Sequence, residues 1–388
     1  MSVKLRDLVF FAPIFFVCLF GREYRGVGLE TIIVSCSIVL FCFRFTKTFL
    51  VRDYSFLIAF WVALVGGVGS YLVSNFQGDE RFIFENSLED LYAVLVFLFF
   101  YGAGLSVDPK DNDFWGKLRI VLGVALVLNL LACFLYYGSD FRYTYFQRLW
   151  NPYLFALLVI SHFASKTLKS LIWLIPFSAA LFVFSTSFQM SAVFLLLIIS
   201  VIFGNRLVGA LNDKILGVGV VSAVLSLLCF SLYIDPFVLA EIDHNFGVRA
   251  VFWREALAEF LVNPWGFKFG VSVVSGDMSA INESAFHGGR EYVDLGVHSG
   301  FMSLLYKLGL IGLPFLILIF RPAFSLKYVG YESRKGYLIV MFSCYLSLFS
   351  NDSFFTPHFS AALGFVLGLY SCSRLRSNMS RVNQVAVI

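Results

Sequence analysis

The chain has 388 residues, of which 59% are hydrophobic and only 14% charged, with a mean hydropathy of +0.82. Water-soluble domains carry about a quarter charged residues, so this balance makes lipid the main solvent and excludes an ordinary soluble enzyme. The net charge of +4 is spread between apolar runs; a nucleic-acid surface needs its cations clustered on one face, and none is expected here.

A helix that crosses a bilayer needs roughly 20 largely apolar residues, fewer where flanking groups reach the interface. The apolar runs in chain order predict spans at 7–21, 27–43, 55–75, 91–106, 120–137, 150–164, 170–185, 190–204, 215–233, 298–320, 336–350 and 357–372. The fold class expected is all-α: a polytopic integral membrane protein of about 12 transmembrane helices, one domain over 1–388. Lys4 and Arg6 before Leu8–Phe20 resemble the start of a signal peptide. Gly21-Arg22-Glu23-Tyr24 offers no small-residue cleavage site, so this run reads as an uncleaved first helix. The seven cysteines fall in or beside apolar runs without metal-type spacing, as packing residues do.

Basic residues set the orientation. With the N-terminus inside and sides alternating, the cytoplasmic segments hold 19 of the 29 Lys and Arg. The outer segments hold Arg22, Arg25, Arg81, Arg142, Arg148, Arg249, Arg254, Lys268 and Arg290, and Lys307 lies within a span. This is the positive-inside pattern. It predicts a multi-pass protein of a bacterial inner membrane with both termini cytoplasmic.

One outer segment stands apart. Residues 234–297, between the ninth and tenth spans, form a loop far longer than a connection needs, and such loops usually carry function. Within it Arg249–Leu261 (RAVFWREALAEFL) has the pattern of a short amphipathic helix, capped by Asp243 or Asn245 and stopped by Asn263-Pro264-Trp265-Gly266. Phe252, Trp253, Leu257, Phe260 and Leu261 are expected to press on the membrane face.

The loop gathers Arg249, Arg254, Glu255, Lys268, Asp277, Glu283, His287, Arg290, Glu291, Tyr292 and Asp294, with His298 at its end. Guanidinium groups facing water beside lipid suit a phosphate-bearing head group, since their planar forks bind phosphate oxygens in pairs. Lys268, Glu283 and Glu291 read instead as charges that keep the loop solvated. His298 has two readings: a neutral imidazole able to take a hydroxyl proton near neutral pH, or a cap on a helix N-terminus. The loop acids are too scattered for a metal cluster, and no metal or cofactor is expected.

Three stretches carry a resemblance. Val248–Leu257 with Asn263-Pro264-Trp265-Gly266 is one; His298 followed by Gly309 and Gly312 is the second; Leu346–Asp352 before the last span is the third. With the long loop ahead of the tenth span, they resemble the O-antigen ligase and O-antigen polymerase superfamily of membrane glycan-transferring enzymes. The resemblance covers nearly the whole chain in layout and only these stretches in motif. It implies metal-independent, inverting glycosyl transfer from an undecaprenyl-diphosphate-linked oligosaccharide, with Arg249 gripping the diphosphate and His298 as base. Arg254, Arg290, Gln189 and Tyr292 would help bind diphosphate or sugar.

Gln189 stands where ligases of the family carry an arginine, and Ser299 where they carry an asparagine. Arg254 and Gly270 have the Arg-to-Gly spacing of a polymerase loop motif. The expected function is therefore an O-antigen-type polymerase moving a growing chain onto a lipid-linked repeat unit. Lipid-linked donor and acceptor, the bilayer, and chain-length-regulating and flippase proteins are the expected partners. The alternatives are a ligase acting on lipid A-core and, from a different class, a flippase for the same lipid-linked sugar. The second is disfavoured because the spans are nearly free of Asp and Glu, whereas transporters bury ionisable groups at mid-membrane.

Overall fold

A computed structural model describes residues 11–12, 14–15, 54–78, 81–107, 111–137, 213–242, 244–271, 273, 299–325, 331–350, 355 and 357–385. These residues are almost wholly helical and form no strand. In chain order they build α1 (Tyr54–Gln77), α2 (Phe84–Ser106), α3 (Asn112–Tyr137), α4 (Asp213–Tyr233), α5 (Pro236–Ile242), α6 (His244–Val262), α7 (Gly300–Leu308), α8 (Leu313–Phe320), α9 (Tyr331–Ser350) and α10 (Pro357–Val385). Among them Asn86–Ser106, Lys214–Tyr233 and the combined run Gly300–Phe324 are long and apolar enough to cross a membrane. The expected spans at 7–21, 27–43, 150–164, 170–185 and 190–204 lie largely or wholly outside the described residues.

Several helices outrun the apolar segments that announce them. Helix α3 starts at Asn112 rather than near 120 because Asp111 accepts the Asp113 and Phe114 amides (3.1 Å each) and Lys117 pairs with Asp113 at 2.8 Å. These are N-cap and i,i+4 devices, invisible to hydropathy. Helix α2 likewise begins at Phe84, so Asp90 lies inside it.

The centre of the bundle is the α2–α10 pair, its most extensive helix contact. A Cβ on Gly368 would stand 2.0 Å from the Tyr101 carbonyl oxygen, one on Gly364 2.4 Å from that of Phe97, and one on Gly104 2.2 Å from that of Phe365. Small residues spaced four apart let the two backbones touch, which is how helices gain packing energy where lipid offers no hydrophobic drive. Tyr101 and Ser371 add a buried hydroxyl pair at 2.7 Å. On the outside, Trp61, Phe76, Val218, Leu225 and Ile317 are exposed. In water such a surface would aggregate; against lipid tails it is the expected one.

The tenth predicted span is not one helix. Helix α7 stops at Leu308, a 3-10 turn follows over Gly309–Gly312, α8 resumes at Leu313, and a second 3-10 turn closes at Phe324. Gly309 has φ +56° and ψ −145°, a region that is essentially glycine's alone and costs other residues on the order of 1–3 kcal/mol. The break lets Pro264–Lys268 dock: the Leu310 amide donates to the Pro264 carbonyl (2.7 Å) and the Lys268 amide to the Lys307 carbonyl (3.1 Å). Irregular backbone survives at membrane depth only when protein supplies such partners.

Helix ends also sort by side. Phe82 bridges Val271, and the Ile83 amide donates to the Gly270 carbonyl at 2.9 Å, joining the start of α2 to the long loop. At the other end of the bundle the Cys372 thiol meets the Val107 carbonyl at 3.4 Å, and the Tyr370 hydroxyl donates to Ser325 at 2.7 Å.

Candidate functional site

The loop helix is α6, and it starts earlier than its pattern suggests, at His244. Asn245 therefore lies within the first turn and cannot be the cap; Asp243 is outside the described residues. The C-terminal stop is as read, with α6 ending at Val262 just before Asn263-Pro264.

Its apolar face corrects the expectation of an interfacial helix. Phe252, Trp253 and Leu257 are buried in protein rather than laid on lipid, and Phe260 packs partly against the same core. Ala250, Val251, Phe252, Trp253, Ala256 and Leu257 are all buried, and α6 packs on both α4 and α7. Phe246 links Phe230 of α4 to Trp253 through edge-on rings, with centroids 5.8 and 5.7 Å apart. The amphipathic pattern was real, but its partner is the bundle. Leu261, at 65% exposure, alone keeps the outward role.

Arg249 is part-buried on α6, and Arg254 is exposed on the same helix. One turn beyond Arg249, Trp253 is buried and its indole N–H has no acceptor. His298, Arg290, Tyr292 and Gln189 lie outside the described residues. Ser299, which follows His298, is wholly buried as the N-cap of α7: its hydroxyl accepts the Met302 amide and donates to the Leu348 carbonyl, both at 3.4 Å. The three stretches behind the family resemblance thus meet. Helix α6 packs on α7, the cap of α7 is bonded to the end of α9, and Pro264-Trp265-Gly266 interlocks with Gly309. A Cβ on Gly266 would lie 2.3 Å from the Leu308 carbonyl carbon, and one on Gly309 2.4 Å from the Pro264 oxygen.

Two ionic clusters escape the sequence reading. In the first, Asp90 receives Lys307 on Oδ1 (2.5 Å) and the Gly270 amide on Oδ2 (2.9 Å), while Lys307 Nζ sits 4.4 Å from the Phe355 ring centroid. The expectation of spans nearly free of carboxylates missed Asp90 by one residue. Lys307 inside an apolar run was the signal, because a cation at that depth needs a partner.

In the second, Glu259 at the end of α6 bonds both Arg81 and Lys268. Lys268 is 9% exposed and also stacks over Tyr306, 4.7 Å from the ring centroid. It is therefore no solvating charge. Burial pushes the Glu259 carboxyl up, but the hydrogen bonds and charges of Arg81 and Lys268 together outweigh it and hold the group below its ordinary value.

Beside this cluster opens a cavity of about 580 Å³ lined by Ser74, Arg81, Glu259, Asn263 and Lys268 on its polar part. Val73, Ala258, Val262, Phe267 and Val271 make the apolar part. Phe267 holds a left-handed backbone (φ 62°), strain of the sort stored at working sites. The segment is pinned beneath by the Ser70 hydroxyl, which accepts the Phe269 amide at 2.9 Å and donates to the Gly66 carbonyl at 2.6 Å. Glu259 follows Arg249 by ten residues, about 15 Å along the helix axis. The cavity and Arg249 are separate places on one helix.

Among the described residues no group of His, Cys, Asp and Glu is placed to hold a metal. No protein-family model matches the chain, and no curated protein matches it.

Proposed function

We propose that the chain is a membrane glycosyltransferase of the O-antigen polymerase type, moving a growing polyprenyl-diphosphate-linked glycan onto a lipid-linked repeat unit at the outer face of an inner membrane. The observation that carries this reading is the convergence of α6, the start of α7 and the end of α9, the three stretches that resemble the superfamily. Arg249 lies on the first of them, and His298 immediately precedes the Ser299 cap of the second.

The chemistry follows from those groups. A hydroxyl oxygen of the acceptor sugar attacks the anomeric carbon of the donor while the bond to the diphosphate oxygen breaks. His298 takes the hydroxyl proton, and the lipid diphosphate leaves with both bonding electrons. Arg249 stabilises the charge that grows on the diphosphate, an interaction strongest in the transition state. The unsatisfied Trp253 N–H, one turn away, is a donor that a ligand oxygen would satisfy. Attack opposite the leaving group inverts the anomeric carbon, and the prenyl tail never leaves lipid.

The part-buried Asp90–Lys307 pair and the broken tenth span favour a second reading, a flippase for the same lipid, since both are transporter features. Their bonding argues against it. Both carboxylate oxygens are engaged by protein, as are the Leu310 amide and the Lys307 carbonyl at the break, which ties the ions and the break to structure rather than to a path.

The test uses purified protein and lipid-linked repeat units. A ladder of products without lipid A-core supports polymerase; transfer only on adding lipid A-core makes it a ligase. His298→Ala should cost about 10²–10⁴ in rate, the worth of a general base, with protein level unchanged. A transporter would keep most of its function in that variant.

A further inference from the structure

The cavity between α1, the end of α6 and the Pro264–Val271 segment takes no part in the bond-making step proposed above. Two serines on α1, Ser70 and Ser74, stand one turn apart beside that segment and fare differently. Ser70 is engaged twice, donating to the Gly66 carbonyl and accepting the Phe269 amide. Ser74 is 5% exposed and lines the cavity, and among the described residues its hydroxyl has no hydrogen-bond partner. A buried hydroxyl left unmatched costs about 1–3 kcal/mol, so its position marks where a ligand group would be held.

Asn263 lines the same space, and its side-chain amide, which can both donate and accept, is likewise without a partner. Glu259 adds an acceptor. An ionised carboxylate has about four acceptor positions, and the bonds from Arg81 and Lys268 leave others for a ligand hydroxyl. The rest of the lining, Val73, Ala258 and Val262 among it, is hydrocarbon. A matching molecule carries hydroxyls along its edge and C–H groups on its faces, which is the make-up of a sugar ring. A free anion has no apolar face, and a lipid tail has no use for the hydroxyl and the amide. The volume, about 580 Å³, falls in the range of cavities that hold small ligands.

We propose that this cavity is a subsite for a sugar ring of the lipid-linked glycan, held by Ser74, Asn263 and Glu259 away from the bond that breaks. The identity of the glycan rests on the glycosyl-transfer reading. Glu259 lies about 15 Å along α6 from Arg249, so a glycan whose reacting end meets Arg249 reaches the cavity with a ring further along its chain. The subsite sets which repeat unit is accepted and in what register. It moves no proton.

The probe is the free oligosaccharide, released from the lipid-linked repeat unit by acid cleavage of its diphosphate ester. Its binding to the full chain in nanodiscs is measured by calorimetry and should be saturable. Ala258→Phe, made at an exposed position on the cavity wall, should fill the space without disturbing the core and weaken binding at least about tenfold. Ser74→Ala and Asn263→Ala should each weaken it about three- to tenfold, the worth of one neutral hydrogen bond. In the ladder assay the same variants should raise KM for the lipid-linked unit and leave kcat little changed, the mark of lost binding rather than lost chemistry. Thermal unfolding reports whether each variant is folded, Ser74→Ala being the mildest. Absence of saturable binding, or binding that Ala258→Phe and Ser74→Ala leave unchanged, would overturn the subsite even if ladders form. Saturable binding that both variants weaken, with no ladder from the parent, would keep the subsite and overturn the transfer reading instead.

Discussion

Two places in this bundle bring backbone against backbone, and they do so by opposite means. Between α2 and α10 the helices stay continuous, and Gly104, Gly364 and Gly368 simply remove side chains from the contact. Between the Pro264–Val271 segment and α7 the helix is broken, and the amides and carbonyls released have to be matched from outside the helix. The first kind of contact asks only for small residues at a helical spacing. The second asks for a specific strap of chain, and it brings the ions with it: Asp90 binds the strap's Gly270 amide and also Lys307 of the broken helix. One contact holds the bundle together; the other fixes a loop to it.

The comparison can be broken from either side. The largest effect on stability is expected from Asp90→Asn, which takes the counter-ion from the part-buried Lys307 at a cost of up to roughly 3–5 kcal/mol. Its mark should be local, with trypsin cutting the 249–290 stretch faster than in the parent while α2 and α10 stay protected from hydrogen exchange. Gly309→Ala should follow at about 2–4 kcal/mol, from strain in a backbone region that only glycine adopts readily together with overlap against the unyielding Pro264 carbonyl. It too should release the loop first.

Gly368→Ala should cost about 1–3 kcal/mol by overpacking against Tyr101 and show the reverse signature, a lower melting temperature with the loop as resistant to trypsin as before. If it loosened the loop equally, the two contacts would not be separate. A smaller effect is expected from Glu259→Gln, about 1–2 kcal/mol, because Glu259 and Arg81 are partly exposed whereas Asp90 is buried. Its dependence on pH is the informative part. A carboxyl held below its ordinary value of 4.5 contributes stability that is complete above that value and fades as pH falls through the lower folded value. The gap between parent and variant in thermal unfolding should therefore be steady at neutral pH and close in acid.

How much of this could be read in advance depends on what each feature is made of. Apolar runs gave the described helices to within a few residues at their lipid-buried ends, as with 215–233 against Asp213–Tyr233. They failed where a helix has a polar first or last turn, as in α3 and in α10, which runs on through Arg374 and Arg376 to Val385. The break at Gly309 was beyond them because hydropathy carries no information on φ. Its cause sits at Gly266, far away in sequence.

The site divides in the same way. Arg249 and Arg254 announce themselves as charges on an amphipathic segment, and α6 indeed carries them. Lys268 looked like a solvating loop charge although its partner Glu259 is only nine residues away, because its burial over Tyr306 and the second cation on Glu259, Arg81, 178 residues from it, are set by distant parts of the chain. No local pattern reports such a pairing. The burial of Phe252 and Trp253 against α4 and α7, rather than against lipid, is a tertiary choice of the same kind: the stripe was legible, the surface it meets was not.

The interlock of Gly266 with Gly309 also bears on how the chain is made. Pro264 leaves the ribosome well before Leu310, yet the amide of Leu310 has its acceptor only once the strap has come back against it. The segment from Gly300 to Phe324 cannot reach its final form until the Pro264–Lys268 strap lies against it. Folding of this chain therefore includes a late docking step, in which the strap settles against the break and supplies the acceptor that the Leu310 amide lacks. Slowing that step should leave an inserted but unfinished species.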